Sequence, residues 1–212
     1  MRNVPEEIVY WYLRLNNFFL IPDFVIHQDY GSDIDFLALQ IPGAEERIHE
    51  QSLKKDDRLE QQFSHCESNE SGPGSGRLRA LIVEVKGGRR QSGAEAFNRE
   101  TLQYTLPYFG VRELNAADVL VQKGSWANSS ILVCTMLAKR RDVGWQEVNF
   151  PKPGMVFDLE DMLEFIKQRA EPVAEKARKS QTDWHLFPPG LFQYLLLEWW
   201  MNFEKNEPGR GL

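Results

Sequence analysis

The sequence predicts an α/β fold, a central sheet flanked by helices, with its elements in the order helix, strand, strand, strand, helix, strand. Three observations carry that expectation. Pro5, Glu6 and Glu7 lead into the apolar series Ile8, Trp11, Tyr12, Leu15 and Phe19, the pattern of a helix with proline and acids in its first turn. The runs 31–39 and 81–88 are strand-like and apolar, yet each sets charged side chains two residues apart. Leu78 to Lys86 has apolar residues on both faces, as a strand at the centre of a sheet does.

The elements follow in order. After the N-terminal helix, 24–30 reads as a strand, Gly31 and Ser32 supply a turn, and 33–41 reads as a second strand paired with the first as a hairpin. Residues 43–77 read as a polar, partly mobile insertion. Eight acids against four bases lie between 45 and 70, and the run Ser71, Gly72, Pro73, Gly74, Ser75, Gly76 has linker composition. Leu53, Leu59 and Phe63 support a short amphipathic helix inside it. The third strand ends at Gly87, Gly88 and Gly93, and 94–109 has helical composition. A buried strand is expected over 130–137 and a short one over 154–157; Asp158, three residues before Asp161, reads as a helix start of capping-box type. Helices fill the remainder, so the chain reads as a single domain, 1–212, with a core over 5–140 and a C-terminal helical extension over 158–205.

Composition narrows the function classes. Hydrophobic residues make up 42% of the chain, enough for a sizeable core, and no run has signal-peptide character or the length to cross a bilayer, which predicts a cytoplasmic protein with no membrane partner. Cys66 and Cys134 do not form a disulfide framework or a zinc-ligand pair. His27, His49, His65 and His185 lack metal-ligand spacing. A net charge of -6 argues against a protein that coats nucleic acid non-specifically.

Side chains two apart on a strand share a face, so Asp33 and Asp35 lie on one face of the first run and Glu84 and Lys86 on one face of the second. Pairing of the runs would bring carboxylates and an ammonium to one place. Phosphodiester hydrolysis needs an activated water, charge relief on phosphate and help for the leaving oxygen, which a hard divalent cation supplies. Mg²⁺ keeps several waters, so Asp35 and Glu84, with the Val85 carbonyl as a further donor, would suffice. Lys86 would orient the attacking water or offset charge on the phosphate. Glu84 lies on a strand buried on both faces, where an unpaired carboxylate costs several kcal/mol, so either a metal or Lys86 must neutralise it. Structural roles remain open for each residue: Asp33 as a turn residue, Glu6 as a helix-start acid, and Glu84 with Lys86 as an ion pair.

The order of elements, with Gly31, Ser32, Asp33, Ile34, Asp35 on the second strand and Glu84, Val85, Lys86 on the third, resembles the PD-(D/E)XK or restriction-endonuclease-like nuclease superfamily. Within it the pattern is closest to small Holliday-junction-resolvase-like nuclease domains. The resemblance covers roughly residues 5–140 and implies an αβββαβ core with a mixed sheet. It implies a metal-dependent nuclease that uses Mg²⁺ or Mn²⁺ and acts on DNA in preference to RNA. Asp35 and Glu84 are then the metal ligands and Lys86 the residue at the water, with Glu6, or Glu7 in second place, and Gln103 in support. The long gap between Asp35 and Glu84 departs from the pattern and bears on substrate access.

Arg89 and Arg90 follow the Gly87 and Gly88 pair and are the candidates for binding substrate phosphates. Lys139, Arg140 and Arg141 would extend the same positive edge, whereas Lys176, Arg178 and Lys179 read as a solvated helix face. The run 191–203 is apolar nearly all round and must be buried, on the domain's own sheet or against a second copy or protein partner. That run keeps a second function in view: a catalytically inactive nuclease-like interaction module in a defence or repair complex.

Overall fold

A computed structural model of the chain describes residues 3–26, 32–43, 47–48, 51–52, 55–68, 76–87, 97–141 and 151–180. The chain divides into two compact units, Met1–Met162 and Leu163–Leu212. The first is an α/β unit built on an open, mixed sheet of six strands.

Helix α1 (Val4–Leu15) starts at an Asn3 cap whose side chain accepts from the Glu6 backbone N–H at 3.0 Å, while the Glu6 carboxylate reaches back to the Asn3 N–H at 3.1 Å. It ends at Asn16, and Asn17 is left-handed at φ 66°. The helix is therefore shorter than the apolar series suggests, and Phe19 belongs to the next strand. Strand β1 (Phe18–Ile26) begins six residues before the expected 24, because the two asparagines stop the helix although the apolar pattern runs on.

β1 pairs antiparallel with β2 (Ser32–Gln40), and β2 pairs antiparallel with β5 (Leu78–Lys86). Between them the chain makes a two-stranded ribbon, β3 (Arg47–Ile48) with β4 (Gln51–Ser52), and helix α2 (Asp57–Ser68). Leu59, Phe63 and Cys66 of α2 are buried, so the stretch read as a polar insertion supplies a core helix. Next come α3 (Arg99–Thr105), a 3₁₀ turn over Leu106–Phe109, α4 (Ala116–Lys123) and the short strand β6 (Ser125–Ala127); the sequence pattern assigns no element to 110–129, where the last two lie. β7 (Ile131–Lys139) lies parallel to β5, and its other edge is shared between β6 along its first half and the parallel β8 (Met155–Asp158) along its second. Helix α5 (Leu159–Ser180) follows at once.

The sheet is covered on both faces. Ile34, Leu37, Ala80, Ile82, Val133 and Leu137 form one core cluster with Leu102 of α3, Ala117 and Leu120 of α4, Phe97 and Leu106 on either side of α3, and Trp126 of β6. On the opposite face Tyr10 of α1 meets Phe36 (6.4 Å between ring centroids), Phe63 of α2 stacks on Phe18 (6.0 Å), and Tyr12 meets Phe157 (5.7 Å). Where these layers meet, the buried Tyr12 hydroxyl donates to Asp56 at 3.0 Å, Asn16 accepts from the Asp56 N–H at 2.8 Å, and Gln40 donates to the Asn16 carbonyl at 2.8 Å. Cys66 and Cys134 are free thiols, both buried. No helix among the described residues is long and apolar enough to cross a membrane.

Candidate active site

β1 and β2 alternate regularly except at one point. Phe36 meets Tyr10 on the α1 face, yet Ile34, two residues earlier, belongs to the core under α3 and α4. The break falls at Asp35 and, opposite it in the register, at Asp23, which has a left-handed backbone at φ 50°. A left-handed aspartate inside a strand is unusual and marks a locally imposed conformation. It leaves the Asp35 carboxylate free to turn toward β5, where its Oδ2 accepts from the Val85 backbone N–H at 2.6 Å.

Continuing the β2–β5 register from the Phe36 and Val83 pair sets Asp35 opposite Glu84. Glu84 is buried at 6% exposure, and its carboxylate pairs with the Lys86 ammonium two residues on. Asp35, Glu84 and Lys86 thus meet at one end of the two central strands. Burial raises the Asp35 carboxyl above its ordinary range; the Val85 N–H opposes that rise, the Glu6 carboxylate adds to it, Lys86 lowers it and Asp23 raises it. Glu6 comes close because α1 abuts the strand end: a Cβ on Gly87 would lie 2.2 Å from Pro5 Cγ. Its carboxylate is held in the Asn3 capping box, so Glu6 is a helix-start acid that also places negative charge near Asp35.

The other expected residues sit apart. Gln103 is exposed on α3, and no hydrogen bond among the described residues joins it to Asp35 or Glu84. Asp33 pairs through its backbone with Val25. Arg89, Arg90 and the run 191–203 lie outside the described residues, as do the side chains of Lys176, Arg178 and Lys179. The expectation that 139–141 extends a positive edge is corrected. Lys139 lies 3.4 Å from Asp158, while Arg141 reaches Asp158 at 3.2 Å and Asp161 at 2.6 Å. A helix does start directly after Asp158, as expected, and the same two acids are also ion-pair partners of these bases.

No protein-family model, no curated protein and no solved structure matches this chain. The site is therefore weighed on its own chemistry. Among the described residues no group of three or more histidine, cysteine, aspartate or glutamate side chains gathers as a metal cluster. Asp35 and Glu84 form a two-carboxylate set of the kind that suits a hard cation retaining most of its own waters, with the Val85 N–H on one oxygen of Asp35 and the Lys86 ammonium on one oxygen of Glu84. Asp23 is the residue that sequence reasoning missed. Its signal was an acid directly after Pro22 inside the apolar run of β1.

Proposed function

We propose that the chain is a metal-dependent nuclease with a restriction-endonuclease-like core, hydrolysing nucleic-acid phosphodiester bonds, with DNA as the preferred substrate. The observation that carries this reading is the Asp35 carboxylate turned onto the Val85 N–H, which sets it against the Glu84 and Lys86 strand end. The succession of one helix, two antiparallel pairings and a helical crossover into a parallel strand supports it.

Asp35 and Glu84 would hold Mg²⁺ or Mn²⁺, which when bound supplies polarisation of the phosphate and activation of a water. The chain's own residues do the rest. Val85 fixes the orientation of Asp35 through its N–H. Glu6 and Asp23 add negative field around Asp35, which favours a cation there. Lys86 neutralises Glu84 in the resting site; with substrate present its ammonium turns to a phosphate oxygen or to the attacking water, where negative charge develops. Arg89 and Arg90 would engage the flanking phosphates.

The same ion pair favours the second reading, in which Lys86 and Glu84 stay locked together and the chain is an interaction module. One experiment separates the two. Purified protein and its Lys86→Ala variant are incubated with linear, single-stranded and branched DNA and with RNA, in Mg²⁺, Mn²⁺ or chelator. The nuclease reading expects metal-dependent cleavage that falls about 100-fold or more in the variant. Folded parent protein that cleaves none of these substrates would overturn the nuclease reading and favour the interaction module.

A further inference from the structure

Two tyrosines stand open to solvent beside the Asp35 end of the sheet. Tyr108, in the 3₁₀ turn after α3, is 67% exposed, and its ring forms a T-shaped pair with Phe24 of β1, 4.7 Å between centroids and 78° between planes. Tyr104, about one turn earlier on α3, is 43% exposed. Phe24 is the fixed half of the pair: it faces Ile34 in the β1–β2 register, next to Asp35, and packs against the core cluster that Ile34 belongs to. Leu78, Ala80 and Ile82 of β5 join the same cluster, so strand alternation carries Glu84 and Lys86 onto that face as well. Continuing the register across β2 sets Phe24 level with Val85, two strands away, roughly 10 Å across the sheet. The tyrosines and the Glu84–Lys86 pair therefore share one face and one end of the sheet, within the reach of a few nucleotides of extended strand.

A single exposed tyrosine is ordinary. Tyr108 is braced by Phe24, and in a T-shaped pair a ring gives up at most one face, so Tyr108, largely exposed, keeps a face for another planar group. Such a ring reads no base identity, since every base has a π-face. What it reads is pairing. In a duplex both faces of a base are covered by its neighbours, and drawing the base out costs at least about as much as one aromatic stack returns. A base in an unpaired strand offers the same face without that cost.

We infer that the substrate is an unpaired strand of DNA, one base of which stacks on Tyr108 and a neighbouring base on Tyr104, while its backbone runs on to Asp35 and Glu84. The place of cutting rests on the nuclease reading above; the stacking does not, and binding tests it separately.

Fluorescence anisotropy reads binding of the full chain to labelled oligothymidylate, to its duplex with oligoadenylate and to an abasic strand of the same length. The titrations contain Ca²⁺, a hard cation for oxygen ligands, because the acids around Asp35 repel a bare phosphate. Oligothymidylate is expected to bind more tightly than either the duplex or the abasic strand. Its binding should weaken about tenfold in Tyr108→Ala and roughly threefold to tenfold in Tyr104→Ala, and persist in Tyr108→Phe. The abasic strand has nothing to stack and should not distinguish Tyr108→Ala from the parent. Thermal midpoints confirm that the variants, at exposed positions, are folded. No binding of oligothymidylate, duplex bound as tightly, or binding that Tyr108→Ala leaves unchanged overturns the inference. Cleavage in Mg²⁺ is scored apart. A parent that binds unpaired strand through Tyr108 and cuts nothing overturns the nuclease reading and upholds this inference, whereas one that cuts duplex as fast as unpaired strand does the reverse.

Discussion

Asp35 is a carboxylate kept against its own solvation. Burial raises its carboxyl above the ordinary range, so the folded chain binds this proton more tightly than the unfolded chain, and stability is lost as pH rises past the unfolded value of 3.8. An amide of the same shape carries no such charge and can still accept from Val85. Asp35→Asn is therefore expected to raise the thermal midpoint at neutral pH in chelator while abolishing cleavage; a lowered midpoint would contradict the account of the site. Tyr12 shows the complementary case. Burial first, and the Asp56 carboxylate second, push its hydroxyl well above the usual 10.0. Tyr12→Phe should cost about 1–2 kcal/mol at neutral pH, measured by denaturant unfolding, through loss of the bond to Asp56. Above pH 10 the unfolded tyrosine ionises while the folded one keeps its proton, so the parent loses stability that the phenylalanine variant does not, and the gap between them should narrow. Glu84 and Lys86 were legible as neighbours because the strand period assigns faces without any structure. Asp23 was not, since a positive φ is a property of surroundings and not of residue type.

Elements differ in how openly their sequences declare them. Strand β5 was predicted over the same residues it occupies, because a run apolar on both faces and closed by glycine has few other uses. Helix α2 was half-seen. Its polar surroundings suggested an insertion, yet three apolar positions on one helical face were enough to seat it in the core. Among the described residues β1 is an edge strand, and Pro22 with the left-handed Asp23 interrupts the row of groups that it would otherwise offer to another chain. The junction between β5 and α1 makes a sharp test. Gly87→Ala would drive a methyl into the rigid Pro5 ring at the start of the helix. The substitution should destabilise by about 1–3 kcal/mol in denaturant unfolding, and Pro5→Ala in the same chain should restore most of that loss.

Across the whole α/β unit, protection should follow burial. β5 and β7 sit at the centre of the sheet with their middle residues buried, while β1 has one edge unpaired among the described residues and exposes Phe19, Ile21 and Val25. In native-state hydrogen exchange the amides of β5 and β7 are expected to open only with global unfolding, and those of β1 by smaller fluctuations; faster exchange in β5 than in β1 would contradict this layering. The sequence by itself determined the α/β class, the hairpin of the first two strands, and the shared face of Glu84 and Lys86. These follow from hydrophobic period and from the stereochemistry of a strand, both local. The tertiary structure alone decided that Asp35 turns onto Val85, that Glu6 is spent in a cap beside it, and that Asp158 and Asp161 claim Lys139 and Arg141. Each depends on which residues, distant along the chain, arrive within a few ångströms, and charge pairing and desolvation act over that distance and carry no trace in sequence spacing.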